Sequence, residues 1–225
     1  MQQKNDKKTI RSWAFFDWAN SAYNLVITST IFPAYYTIIT SDKDDSTIDY
    51  VTFLGRKFIN SALYSYAMAF AFLVIAILSP ILSSIADTRG NKKVFMQIFT
   101  YLGSFACCGL YFFKLETLEI SVVLFVLAAI GFWGSLVFYN SYLPDIAFVE
   151  QQDRVSAKGY SLGYLGSVLL LVVNLGMVMF PDVFGITGTP GEAAMKAMRY
   201  SFITVGIWWI VFSQYTYYYL PKGNS

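Results

Sequence analysis

Hydrophobic residues along this chain are concentrated in runs of about 20, which is the length a helix needs to cross the hydrocarbon core of a bilayer. Six such runs alternate with short polar segments, and none of these segments is long enough to form a second domain. We therefore predict an all-α polytopic membrane protein with six transmembrane helices. The predicted spans cover residues 13–39, 58–85, 94–113, 120–143, 159–180 and 198–220.

A polar face runs along the first of these spans. On a helical wheel with roughly 100° per residue, Asp17, Asn20, Ser21, Asn24 and Thr28 fall on one side. A helix surrounded by lipid gains nothing from gathering its polar groups, because such groups are costly in hydrocarbon and turn toward protein or water. This face predicts that the first helix lines a polar route through the membrane.

The residues of this face divide into two predicted roles. Asn20, Ser21, Asn24 and Thr28 are candidate contacts for a substrate. Asp17 is the only carboxylate on the face and lies nearer the cytoplasmic end, so we assign it to gating or to coupling with a proton or cation. Two alternatives stay open, since Asp17 can instead be an interfacial residue and the asparagines can join neighbouring helices.

Two later spans supply candidates for the opposite wall. Asn140 lies near the inner end of the fourth span, at a depth comparable to that of the asparagines in the first. In the fifth span, Tyr160, Tyr164, Ser167 and Asn174 follow one another at helical spacing. We predict that Asn140, Tyr164 and Asn174 contact the substrate, with a helix-to-helix contact as the alternative for Asn140.

The composition excludes several classes of function. Of 225 residues, 56% are hydrophobic and only 13% are charged, against roughly 25% charged in soluble domains. The absence of histidine removes the usual metal ligand and general base. Cys107 and Cys108 lie in an apolar run and are expected to be packing residues. We predict no cofactor, no metal site and no enzymatic activity, and a net charge of +2 gives no indication of nucleic-acid binding.

The distribution of lysine and arginine predicts the orientation, because cytoplasmic loops retain positive charge. With the N-terminus inside, ten of these residues lie on the inner side and six on the outer side. Both termini are therefore expected in the cytoplasm, with residues 1–12 forming a cytoplasmic N-terminal segment and residues 13–220 the transmembrane domain.

The loop between the second and third spans reads SSIADTRGNKK over residues 83–93. Asp87 and Gly90 at this spacing, followed by two lysines, resemble the loop motif of the major facilitator superfamily. The motif implies that Asp87, Arg89 and Gly90 belong to a gating network on the cytoplasmic side. The sequence departs from the family pattern at Ser83, Thr88 and Asn91. A positively charged turn required only by topology is the alternative.

Further segments narrow this resemblance. WAFFDWANSAY (residues 13–23), IFP (31–33), FYNSYLPD (138–145) and RVSAKGYSLGYLG (154–166) resemble the branch that contains the autophagy-related vacuolar effluxers of fungi and many bacterial proteins. The glycines at 159, 163 and 166 resemble the glycine-rich fifth span of antiporters, but the proline of that motif is missing. Close helix packing is therefore the favoured interpretation of these glycines.

The resemblance implies a secondary active transporter that moves a small polar solute by alternating access, with amino acids suggested by the fungal members. It also implies that six helices are the N-terminal half of the fold, that residues 221–225 begin a central cytoplasmic loop, and that a C-terminal six-helix half is the partner. The expected location is the cell (inner) membrane, or a vacuolar membrane in a eukaryote. A six-span channel or stand-alone carrier acting as an oligomer is the alternative function.

Overall fold

The first long helix contains a change in helical winding. In the computed structural model, which describes residues 4–41 and 48–221, it consists of α1 (Lys7–Ala22), a π-helical segment (Tyr23–Ile31) and α2 (Phe32–Thr40). Asp6 caps its start, because its carboxylate accepts the backbone N–H of Thr9 at 2.8 Å. The helix thus begins within the segment predicted to be cytoplasmic.

The remaining elements follow in a simple order. A hairpin of β1 (Tyr50–Phe53) and β2 (Arg56–Ile59) precedes α3 (Asn60–Arg89), α4 (Lys92–Gly109), α5 (Leu118–Ser141), α6 (Leu143–Ile146), α7 (Val149–Met179) and α8 (Pro190–Tyr219). Short 3-10 turns cover Leu110–Phe112, Leu115–Thr117 and Pro181–Phe184.

Among the described residues, four helical stretches are long and apolar enough to cross a membrane. They are Asn60–Ala86, Lys92–Phe112, Leu115–Ile146 and Val149–Met179. An all-α membrane protein is thereby confirmed. The first long helix and α8 are not among the four, so the number of six spans and the orientation of the termini stay predictions.

The π-helical segment changes the faces predicted for the first helix. A π-helix bonds each residue to the fifth along the chain, not to the fourth. Thr30 illustrates this winding, because its hydroxyl donates to the carbonyl of Leu25, five residues earlier, at 2.7 Å. The step of 100° per residue therefore holds only as far as Ala22, and the error in predicted direction grows along the segment, so that it is larger for Thr28 than for Asn24.

The hairpin corrects the start of the second predicted span. Residues 58 and 59 were assigned to that span but belong to β2, which pairs with β1 in antiparallel register from Tyr50 and Ile59 to Phe53 and Arg56. The helix begins only at Asn60. Leu54 and Gly55 form the turn with positive φ angles of 49° and 73°, the conformation that tight hairpins require.

Glycines allow the long helices to approach closely. Gly159, Gly163 and Gly166 of α7 all face α1, and a Cβ on Gly166 would lie 2.7 Å from the carbonyl oxygen of Trp18. Glycines also allow α4 and α5 to pack closely, because the backbones of Gly103 and Gly131 are in contact. The close packing predicted for the α7 glycines is therefore present in the structure.

This contact gives a stability prediction with a control in the same helix. Gly166→Ala should destabilise the protein by about 1–3 kcal/mol, since the methyl group overlaps the Trp18 carbonyl and ring. Gly176→Ala meets no atom within 4 Å and should raise stability by up to about 1 kcal/mol, because alanine favours the helix. Thermal unfolding of both variants in one detergent tests this. Equal midpoints for the two variants would contradict the packing.

Candidate functional site

A polar groove opens between α1, α5 and α7. It has a volume of about 370 Å³. Five of the residues predicted from the sequence lie along it, namely Asp17, Ser21, Asn24, Asn140 and Tyr164. The groove also contacts Leu25, Phe132, Trp133, Leu136, Tyr139, Tyr160 and Ser167. Side chains from three predicted helices thus line one surface. Its polar side chains form one edge, and apolar side chains of α5 form the wall.

Asp17 is the only carboxylate among the described residues that line the groove. It is 5% exposed and accepts hydrogen bonds from the hydroxyls of Ser21 at 3.3 Å and Tyr139 at 3.2 Å. Gly159 leaves room for this arrangement, since a Cβ there would lie 2.9 Å from the Asp17 carboxylate and 2.7 Å from the Tyr139 hydroxyl. In the part of the chain that the structure describes, this carboxylate is held by neutral hydroxyl donors and not by a cation.

Tyr139 is a site residue that the sequence analysis missed. Its ring stacks on Trp13 with centroids 4.2 Å apart, and its backbone carbonyl accepts the indole N–H of Trp13 at 2.9 Å. These contacts fix the direction of the phenol that donates to Asp17. The signal available was its place beside Asn140 in a polar cluster, but tyrosine is so common at membrane interfaces that this position did not stand out.

Helix α7 lines one side of the groove, and the groove is open to its surroundings on that side. Tyr160 and Tyr164 are 60% and 72% exposed although both line the groove. Ser167 is buried and donates to the carbonyl of Tyr164 at 3.1 Å. The groove is therefore open on the side of these two tyrosines.

Three predicted substrate contacts lie away from the groove. Asn20 is fully buried, and its side-chain oxygen accepts the hydroxyl of Ser135 in α5 at 3.2 Å. Asn174 is also fully buried and accepts the hydroxyl of Thr204 in α8 at 2.8 Å. Thr28 is not a lining residue, and its carbonyl accepts the hydroxyl of Tyr64 at 3.2 Å. Both asparagines thus make contacts between helices, which was the alternative interpretation for Asn20 and was not foreseen for Asn174.

The loop after α3 ends in the conformation that its glycine allows. Gly90 adopts the left-handed conformation with φ 64°, and its N–H donates to the carbonyl of Ala86, which terminates α3. The side chains of Asp87 and Arg89 lie outside the described part of the structure, so their predicted gating role stays a prediction.

A buried ion pair lies beside this loop. Lys92 and Asp145 are 2.8 Å apart, with side chains 8% and 21% exposed. Lys92 also donates to the carbonyl of Ser141 at 3.3 Å. The pair ties the start of α4 to the end of α5 and to α6. The sequence marked Lys92 only as an inner-side charge, because the partner is 53 residues away.

Comparison with known proteins places the chain in a family. The chain matches the model described as vacuole effluxer Atg22 like over residues 5–150 and 147–225. It is 30% identical over 210 residues to an uncharacterized MFS-type transporter, YxiO, of Bacillus subtilis. The aligned region covers 93% of this chain and 46% of that protein. No solved structure matches the chain.

More distant relatives agree with this assignment. Autophagy-related protein 22-1 of Aspergillus terreus is 20% identical over 239 residues, covering 80% of this chain and 39% of the relative. An uncharacterized protein of Aquifex aeolicus is 25% identical over 190 residues, covering 84% and 44%. The chain spans less than half the length of these curated relatives. It belongs to the vacuole effluxer Atg22-like family.

Proposed function

We propose that this chain forms the N-terminal half of a secondary active transporter that moves a small polar solute, with amino acids as the first class to test. The observation that carries the proposal is the groove between α1, α5 and α7. It combines a single carboxylate, Asp17, with amides at Asn24 and Asn140 and an apolar wall. Such a mixture of apolar surface and a few polar groups is typical of sites for small molecules.

Asp17 is proposed as the coupling residue. An ionisable group among membrane helices is costly and is therefore a functional candidate by default. Its two hydrogen bonds come from hydroxyls, which accept or donate according to whether the carboxyl group carries a proton. Ser21, Asn24, Asn140 and Tyr164 are proposed to contact the solute.

A second six-helix half is proposed to cover the open side of the groove, with the central cytoplasmic loop between the halves. Two observations support this. The curated relatives are about twice as long as the matched region. In addition, only 6% of the positions in the apolar stretch of α3 are buried, compared with 56% in that of α5. We propose six spans over residues 13–220, cytoplasmic termini, and a location in the cell (inner) membrane, or a vacuolar membrane in a eukaryote.

Uptake by vesicles tests this proposal. Vesicles that contain the chain, with or without the C-terminal half, are given a pH gradient and a panel of labelled amino acids. We expect saturable, gradient-dependent uptake only when both halves are present, because alternating access requires two halves that rock around the site.

Each other result has a defined meaning. Full uptake by this chain alone would refute the assignment as a half and favour an oligomeric carrier. Single-channel conductance in a planar bilayer would show that the protein acts as a channel and would contradict the proposed transporter. Lack of uptake with both halves, across the panel and with either direction of the gradient, would contradict amino acids as the substrate class.

A further inference from the structure

A second cavity lies at the end of the bundle where α7 is joined to α8. It has a volume of about 480 Å³ and shares no lining residue with the groove at Asp17. Its polar lining residues are Tyr111, Thr187, Lys196, Arg199, Tyr200 and Thr204, and its apolar side includes Met177 and Ile203. The cavity therefore combines two cations and several hydroxyl groups with apolar surface.

Lys196 and Arg199 are three residues apart on α8 and so project on the same face of the helix. The ammonium group of Lys196 donates to the carbonyl of Thr187 at 2.8 Å, which uses one of its three protons. The guanidinium group of Arg199 lies 4.7 Å from the centre of the Tyr111 ring. The Nε atom of Arg199 is buried and has no hydrogen-bond partner.

Within the described residues, neither cation forms an ion pair with a carboxylate, although the carboxylate of Glu192 attracts Lys196 electrostatically. The ion pair found there joins Lys92 and Asp145, at a different place in the fold. Glu192 lies one turn before Lys196, but its carboxylate accepts the N–H and hydroxyl of Thr189 at 3.1 and 2.9 Å and caps α8. The two cations and the hydroxyl groups beside them therefore favour an anion in the cavity.

We propose that this cavity binds a phosphate group. Arginine and lysine together with hydroxyl donors are the groups that bind phosphate oxygens, and a charged hydrogen bond is stronger than a neutral one. The volume exceeds that of a bare phosphate, and the apolar side beside Met177 accommodates the organic part of a phosphate ester. A lipid headgroup and free inorganic phosphate share this chemistry, and the test distinguishes them.

The test measures thermal unfolding of the purified chain in dodecyl maltoside, which contains no phosphate. Inorganic phosphate is titrated against chloride at equal ionic strength, and phosphatidylglycerol is compared with a glycosyl diacylglycerol. The variants are Lys196→Gln, the double variant Lys196→Gln/Arg199→Gln, and Lys114→Gln as the control. Lys114 is exposed and does not line the cavity.

We expect a saturable rise in the unfolding midpoint for the wild type and for Lys114→Gln. Lys196→Gln should weaken apparent binding by about tenfold or more, because it removes a charged hydrogen bond. Lys196 is exposed, so this variant should fold even if the double variant does not. Phosphate also stabilises proteins by exclusion from their surface, but that effect is common to all variants.

The two ligands identify the source of the phosphate. A saturable rise with inorganic phosphate shows that the free anion is sufficient, and a rise only with phosphatidylglycerol assigns the site to a lipid headgroup. Identical curves for wild type and Lys196→Gln with both ligands would overturn the proposal.

Discussion

Asp17→Asn is expected to abolish gradient-driven uptake while the protein still inserts into the membrane and folds. The amide has nearly the shape of the carboxyl group but cannot gain or lose a proton, so the hydroxyls of Ser21 and Tyr139 no longer face a titratable group. The measurement is uptake by vesicles that contain this chain with the C-terminal half, with and without a pH gradient.

A second readout separates coupling from solute binding. Exchange of labelled for unlabelled solute at equal concentrations on both sides requires the solute site but no gradient. Asp17→Asn should retain exchange, and Tyr139→Phe, which removes one donor to the carboxylate, should reduce gradient-driven uptake less than Asp17→Asn does. Asp153→Asn, an exposed change on α7, is the control.

The outcomes for Asp17 are distinct. Unchanged gradient-driven uptake in Asp17→Asn would remove the coupling role. If Asp17→Asn loses both exchange and uptake but still unfolds cooperatively, Asp17 contributes to solute binding and not to coupling.

Asp145→Asn is expected to produce a large loss of stability, about 1–3 kcal/mol. The change removes the carboxylate that lies 2.8 Å from Lys92, whose side chain is only 8% exposed, and weakening the ion pairing of a largely buried charge is costly. The bond from Lys92 to the Ser141 carbonyl persists and limits the loss. Thermal unfolding in detergent measures the effect, with Asp153→Asn as the matched control on the surface of α7.

A double variant identifies the cause. Lys92→Met/Asp145→Asn removes both charges and should recover part of the stability lost in Asp145→Asn, because no uncompensated charge is left. The contradicting outcome is simple additivity, in which the loss of stability in the double variant equals the sum of the losses in Lys92→Met and Asp145→Asn. The two side chains would then act independently, and the ion pair would contribute no coupling energy.

The helical pattern predicted residues that the structure places along the groove and others that it places elsewhere. Asp17 and Ser21 lie in α1, where the step of 100° per residue applies, and both line the groove. Beyond Ala22 the winding changes, and Asn24 lines the groove while Thr28 does not. A helical wheel assumes one winding throughout, so it cannot represent a π-helical segment.

The asparagines show a different limit. Asn20 and Asn24 are the same residue type on the same predicted face, yet Asn20 is fully buried against Ser135 and Asn24 is exposed in the groove. Whether an amide contacts a helix or a solute depends on which neighbour lies opposite, and that neighbour comes from a distant part of the chain. Tyr139 shows the same limit in addition to the frequency of tyrosine at membrane interfaces, since its partners Trp13 and Asp17 lie more than 100 residues earlier.

The class of this protein could be predicted without its structure, because runs of about 20 apolar residues are a local property that matches the thickness of a bilayer. The close packing of the α7 glycines was also predictable from their spacing, and the family from the resemblance of several short motifs. The groove-lining residues, the partner of Lys92 and the second cationic cavity became visible only in the folded chain. These depend on contacts between distant segments, and no periodicity within one helix encodes them.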